Sequence, residues 1–164
     1  MNDSRKGPYD NDKVILVVED DVKMNELTRT ILEEHGYFVL SAFDWKTAYK
    51  MLNECRPDLV LLDLMLPDVE VEETCWKMGK NDNACDIPFI VMTSLNTLPA
   101  KLSAFLAGAR RFLNKPVSSD ELLKEVEKIL AEEDPAPYWR QIAEFQKDTD
   151  DYIRNVANKR NDEI

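Results

Sequence analysis

The chain has 164 residues, 44% of them apolar and only four of them glycine, a composition suited to one compact domain with an extension. Its 32 acidic and 21 basic residues give a net charge of −11, which argues against a nucleic-acid footprint and against binding to anionic membranes. No apolar run approaches the ~18 residues of a membrane span. Residues 1–12 are polar, lack the apolar core of a signal peptide and read as a disordered lead-in. Val14 to Val18 is an apolar strand that ends in Glu19-Asp20-Asp21. Two carboxylates at about 4 Å repel by ~1 kcal/mol in water and by more in a cleft, so a cation is expected nearby. The plainer use of such acids is to start the next helix.

Met24, Leu27, Ile31 and His35 step by three or four and predict a helix on that face, closed by Gly36. His35 falls in its last turn, where a cation suits the dipole, and no catalytic role is assigned to it. Tyr37 to Ala42 reads as a strand. Asp44 is an N-cap for a helix over Trp45 to Cys55, with Trp45, Ala48 and Leu52 facing inward. Leu59 to Leu62 is an unbroken apolar run, the mark of a strand buried on both faces, and Asp63 stands at its far end. Pro67 and Asp68 stop it. Val71 to Lys80 is a weaker helical stretch containing Trp76 and leads to the loop Asn81-Asp82-Asn83. Phe89 to Met92 is a strand ending in Thr93-Ser94. A helix over Pro99 to Ala107 stops at Gly108. Arg110 to Leu113 is a last strand, followed by Asn114-Lys115-Pro116. Ser118 and Glu121 form a capping box for a helix with Leu122, Val126 and Ile129 inside, ending near Glu133.

Five strand–helix units predict an α/β fold: a doubly wound parallel sheet with helices on both faces and right-handed crossovers. In such sheets sites form outside the carboxyl ends of the strands. Four strand ends carry polar groups: Glu19-Asp20-Asp21, Asp63, Thr93-Ser94 and Lys115. Parallel strands bring all four to one edge. The chemistry that fits is phosphoryl transfer to a carboxylate, which is mostly positioning and neutralisation of charge. Asp63 is then the acceptor. Glu19, Asp20 and Asp63 hold Mg2+, with the Met65 backbone carbonyl as a further ligand. Lys115 and the Thr93 hydroxyl meet the phosphoryl oxygens.

The stretches Val17-Val-Glu-Asp-Asp21, Asp63-Leu-Met-Leu-Pro-Asp68, Thr93-Ser94 and Asn114-Lys-Pro-Val117, with their spacing, resemble the CheY-like receiver domain of two-component response regulators. The likeness covers roughly residues 13–132. It implies a flavodoxin-like five-stranded sheet in the order 2-1-3-4-5. It implies that Asp63 takes a phosphoryl group from a histidine kinase or a histidine phosphotransfer protein. It also implies a switch in which Thr93 moves toward the phosphoryl group and Phe112 turns inward. The chain departs from the family in having Val71 where a glycine is usual, within Val69-Glu-Val-Glu-Glu73, so the loop beside the site is expected to be reshaped and more acidic. Arg110-Arg111 and Phe112 are further departures.

Beyond the receiver domain, placed at 13–134, Pro135-Ala-Pro137 forms a linker to an amphipathic helical tail over 135–164. Tyr138, Ile142, Phe145, Thr149, Tyr152 and Val156 form a short heptad seam, which either packs on the domain or makes a homodimer or partner helix. No DNA-binding output is expected in this chain. Cys55, Cys75 and Cys85 form no metal-binding or disulfide pattern and read as free thiols of a cytoplasmic protein. A phosphatase reading is disfavoured because Met65 stands where such enzymes commonly place a second aspartate. The protein is expected to be no enzyme beyond its own phosphorylation and dephosphorylation. The alternative is an unphosphorylated pseudo-receiver that binds partners through its tail.

Overall fold

A computed structural model describes residues 13–131 apart from positions 82 and 85, and leaves aside the side chains at 72, 75 and 79. The expected lead-in over 1–12, the linker, and the seam residues Tyr138, Ile142, Phe145, Thr149, Tyr152 and Val156 lie outside the described residues. Among the described residues ten elements alternate: β1 (Val14–Val18), α1 (Val22–Glu34), β2 (Phe38–Ala42), α2 (Trp45–Cys55), β3 (Leu59–Leu62), α3 (Val71–Lys80), β4 (Phe89–Thr93), α4 (Leu98–Leu106), β5 (Arg111–Asn114) and α5 (Ser119–Ala131). The five strands form one parallel sheet in the order β2-β1-β3-β4-β5, so the expected fold stands.

Side chains alternate across the strands and feed two cores. Leu16, Val18, Val60, Leu62, Phe89 and Val91 pack with Trp45, Ala48 and Leu52 of α2, Met78 of α3 and Ala100 and Ala104 of α4. Ile15, Val17, Leu59, Leu61, Ile90 and Met92 pack with Leu32 of α1 and Leu122, Val126 and Ile129 of α5. β3 and β4 are buried at every position, as their apolar runs required.

Helix starts are capped as their residue types dictate. Asp21 Oδ1 accepts from the Met24 N–H at 3.0 Å, Asp44 Oδ1 from Thr47 at 2.7 Å and Ser118 Oγ from Glu121 at 3.1 Å. The face of α1 differs from expectation. Its buried residues are Asn25, Thr28 and Leu32, whereas Leu27 is 54% exposed and His35 is exposed. The physical reason is polar. The Asn25 amide is buried because it donates to two carbonyls at the sheet edge, Glu19 O at 3.0 Å and Ala42 O at 3.2 Å. An apolar periodicity cannot reveal such a residue.

At the end of α2, Arg56 takes a left-handed backbone with φ 43°, a costly choice for a side chain with a Cβ. Its guanidinium compensates by gripping Asp86 through two bonds of 2.9 and 3.1 Å and the Asn83 carbonyl at 2.9 Å. Shortening Leu61, buried in the sheet, to alanine should cost ~2–5 kcal/mol of stability in urea unfolding. Leu106→Ala, at a position 75% exposed, should stay within ~0.5 kcal/mol.

Candidate functional site

The parallel register brings the predicted residues to one rim. The Asp63 N–H donates to Val18 O at 3.0 Å, which seats Asp63 beside Glu19. The Lys115 N–H donates to Thr93 O at 2.9 Å, which seats Lys115 at the end of β4. Oxygens of Glu19, Asp20 and Asp63 all lie within 4.8 Å of one another. Glu19 and Asp63 are buried and Asp20 is exposed.

Lys115 closes the rim. Its ammonium donates to Asp63 Oδ2 at 2.8 Å and to Glu19 Oε2. The other oxygen of each acid is also engaged. Asp63 Oδ1 accepts from the Met65 N–H at 2.9 Å, and Glu19 Oε1 accepts from the Asp21 N–H at 3.2 Å. Burial pushes the Glu19 carboxyl above its ordinary 4.5, and the Asp63 charge adds to this. The Lys115 ammonium and the Asp21 N–H oppose the rise without cancelling it. Burial would lower Lys115, but its bonds to Asp63 and Glu19 outweigh that and hold it above 10.5. Lys115 therefore contributes stability that is whole below pH 10.5 and is lost as pH rises through its folded value.

Thr93 is fully buried, and its Oγ1 accepts from the Leu95 N–H at 3.3 Å. Phe112 is half-buried against the α2–α3–α4 core, with the Lys101 ammonium 5.7 Å from its ring centre. Met65 is 52% exposed, with its sulfur 3.9 Å from Ser94 Oγ. Arg111 is not an open cation: it pairs with Glu125 at 2.8 Å.

The loop between β3 and α3 runs from Asp63 to Glu70. Val71 is simply the first helical residue, partly buried on the core, and Glu70 precedes it with no side-chain cap. Asp20, Asp68, Glu70 and Glu73 line an open cavity of about 630 Å3 beside Leu64 and Met65, the residues that follow Asp63. Asp68 does more than line it. Its two oxygens accept from the Trp45 N–H at 2.9 Å and the Lys46 N–H at 3.0 Å, so it bolts this loop to the start of α2. Sequence reading missed this bolt. Asp68 stood inside a recognised motif, but no local spacing connects it to a helix start 23 residues earlier.

A family model for the response regulator receiver domain matches residues 15–127. The chain belongs to this family. It is 33% identical over 123 residues to the DNA-binding dual master transcriptional regulator RpaA of Synechocystis, covering 75% of this chain and 51% of that protein. It is 31% identical to the phosphate regulon transcriptional regulatory protein PhoB of Pseudomonas aeruginosa, covering 75% of this chain and 54% of that protein. The chain thus spans about half the length of the curated relatives it matches. Among solved structures, a CheY-like receiver domain protein of Methanospirillum hungatei is 30% identical with a TM-score of 0.68, covering 72% of this chain and 93% of that one. The non-phosphorylated HemR receiver domain of Leptospira biflexa is 31% identical with a TM-score of 0.67, covering 74% and 97%. This receiver domain is therefore a component of the two-component signalling class. Among the described residues no helix is long and apolar enough to cross a membrane.

Burial would raise the receiver's Asp68 carboxyl, but the N–H groups of Trp45, Lys46 and Asp68 itself, with the Lys77 charge, outweigh that and hold it below 3.8. Its contribution is present above pH 3.8 and fades as pH falls through the folded value. Asp68→Asn should cost ~1 kcal/mol at pH 7. Urea titrations of the two proteins should converge once Asp68 is protonated.

Proposed function

We propose that Asp63 accepts a phosphoryl group from the phosphohistidine of a histidine kinase or a histidine phosphotransfer protein. The observation that carries this reading is the Lys115 ammonium on Asp63 Oδ2, inside a rim shared with Glu19 and Asp20. The donor set consists of hard anionic oxygens, which suits Mg2+. Glu19, Asp20 and Asp63, with the Met65 carbonyl, would hold it. When bound, the ion supplies positive charge against the phosphoryl oxygens.

The chain's own groups do the positioning. The Met65 N–H and the Lys115 ammonium fix the Asp63 carboxylate, leaving it little freedom to lose on reaction. An Asp63 oxygen bonds to phosphorus as the P–N bond to the donor histidine breaks, and the leaving imidazole takes up a proton. Lys115 neutralises a phosphoryl oxygen. The Thr93 hydroxyl gives up the Leu95 N–H to meet another, and Phe112 follows inward, leaving Lys101. The outcome is a change in partner binding or in oligomeric state, to which the 135–164 tail contributes.

The second reading is a pseudo-receiver that acts as an unphosphorylated adaptor through its tail. The acidic lining of the cavity favours it, because Asp20, Asp68, Glu70 and Glu73 repel an approaching phosphoryl group.

Intact mass spectrometry after incubation with phosphoramidate and Mg2+ separates the two. One added phosphoryl mass is expected, absent in Asp63→Asn and suppressed by EDTA. Lys115→Ala should slow its appearance about a hundredfold. Thr93→Ala should still be labelled but should lose the change in partner binding. No added mass in the native protein would leave the adaptor reading standing.

A further inference from the structure

The groove between α2 and α3 lies outside the phosphoacceptor rim. Trp45, Lys46 and Tyr49 form one wall, and Trp76, Lys77 and Lys80 form the other, around about 690 Å3. That volume falls in the range of small-molecule clefts, ~300–1,000 Å3, which are typically aromatic with a few placed polar groups.

Three features of the groove point to the same kind of ligand. The first is its aromatic surface. The Trp45 and Tyr49 rings lie 6.4 Å apart, tilted by 51°, and the outer aromatics stay in water, with Trp76 63% exposed and Tyr49 48%. Such flat faces favour a flat apolar body. The second is charge. Three lysines face one carboxylate, Asp68, on a chain whose net charge is −11. Lys77 is already paired with Glu73 at 2.9 Å. The Lys80 ammonium sits 4.8 Å from the Trp76 ring centre, so a cation and an aromatic face are presented together.

The third feature is Asn81, which lines the groove at the end of α3 and is only 8% exposed. Its Oδ1 accepts from the Asn83 N–H at 3.0 Å. Its Nδ2 is buried and finds no acceptor among the described residues. A buried donor left unmade is costly, and native structures rarely retain one without a use.

We propose that this groove binds a small planar anion: an aromatic ring carrying a phosphate or carboxylate group. The ring lies against Trp76 and Tyr49. The anionic group meets Lys80 and Lys46 and accepts from Asn81 Nδ2 after a small shift of the side chain. Bare inorganic anions would leave the aromatic faces unused. A nucleic-acid chain would be repelled by a protein whose net charge is −11.

The test is an NMR titration of the 15N-labelled full chain, following the indole N–H signals, without Mg2+ or phosphodonor. It therefore stands or falls apart from the phosphorylation reading. The probes are 1-naphthyl phosphate, 1-naphthol, inorganic phosphate and a hexaglutamate peptide. The expected result is saturable movement of the Trp76 and Trp45 signals with 1-naphthyl phosphate alone. Trp76→Ala and Lys80→Glu, both at exposed positions that the fold tolerates, should each weaken binding about tenfold. Asn81→Leu should weaken it too, with circular dichroism confirming an intact fold. The proposal is overturned by an absence of saturable shifts, by equal affinity in the Trp76 and Lys80 variants, or by equal binding of naphthol or inorganic phosphate. Binding of hexaglutamate in preference to 1-naphthyl phosphate would assign the groove to an acidic chain and overturn it equally.

Discussion

The ammonium of Lys115 between the carboxylates of Glu19 and Asp63 is the contact on which the functional edge depends. It joins the ends of β1, β3 and β5, which are far apart in the chain. Without it two buried acids would face each other with no counter-ion, a costly arrangement in a partly desolvated site. One ammonium balances one negative charge. Asp20 adds a third carboxylate at the solvent side of the same cluster. The rim is therefore short of positive charge, the imbalance that the proposed divalent cation would offset.

Much of this was legible in the sequence because the fold obeys periodicity. Unbroken apolar runs at Val14–Val18, Leu59–Leu62 and Phe89–Met92, each short and bounded by turn residues, suit a sheet covered on both faces. Once the strands are parallel, Asp63, Thr93 and Lys115 share an edge by geometry alone. Caps at Asp44 and Ser118 were readable for the same local reason, since their partners lie three residues away.

What the sequence hid is long-range and polar. Asn25 occupies the inner face of α1 where apolar spacing favoured Leu27, because its amide serves carbonyls of two other segments. Asp68 ties the loop after β3 to the start of α2. Arg56 accepts a strained backbone in exchange for the Asp86 and Asn83 contacts. None of these pairings leaves a local periodic trace. Asp68 also borders both the acidic cavity after β3 and the α2–α3 groove, so one loop shapes a wall of each.

Calorimetric titration with MgCl2 decides whether the rim is an incomplete cation site. Saturable binding of one ion per chain is expected, weakened at least about tenfold by Asp20→Asn, a substitution at an exposed position. Heat that never saturates, or equal affinity in the Asp20→Asn protein, would contradict it.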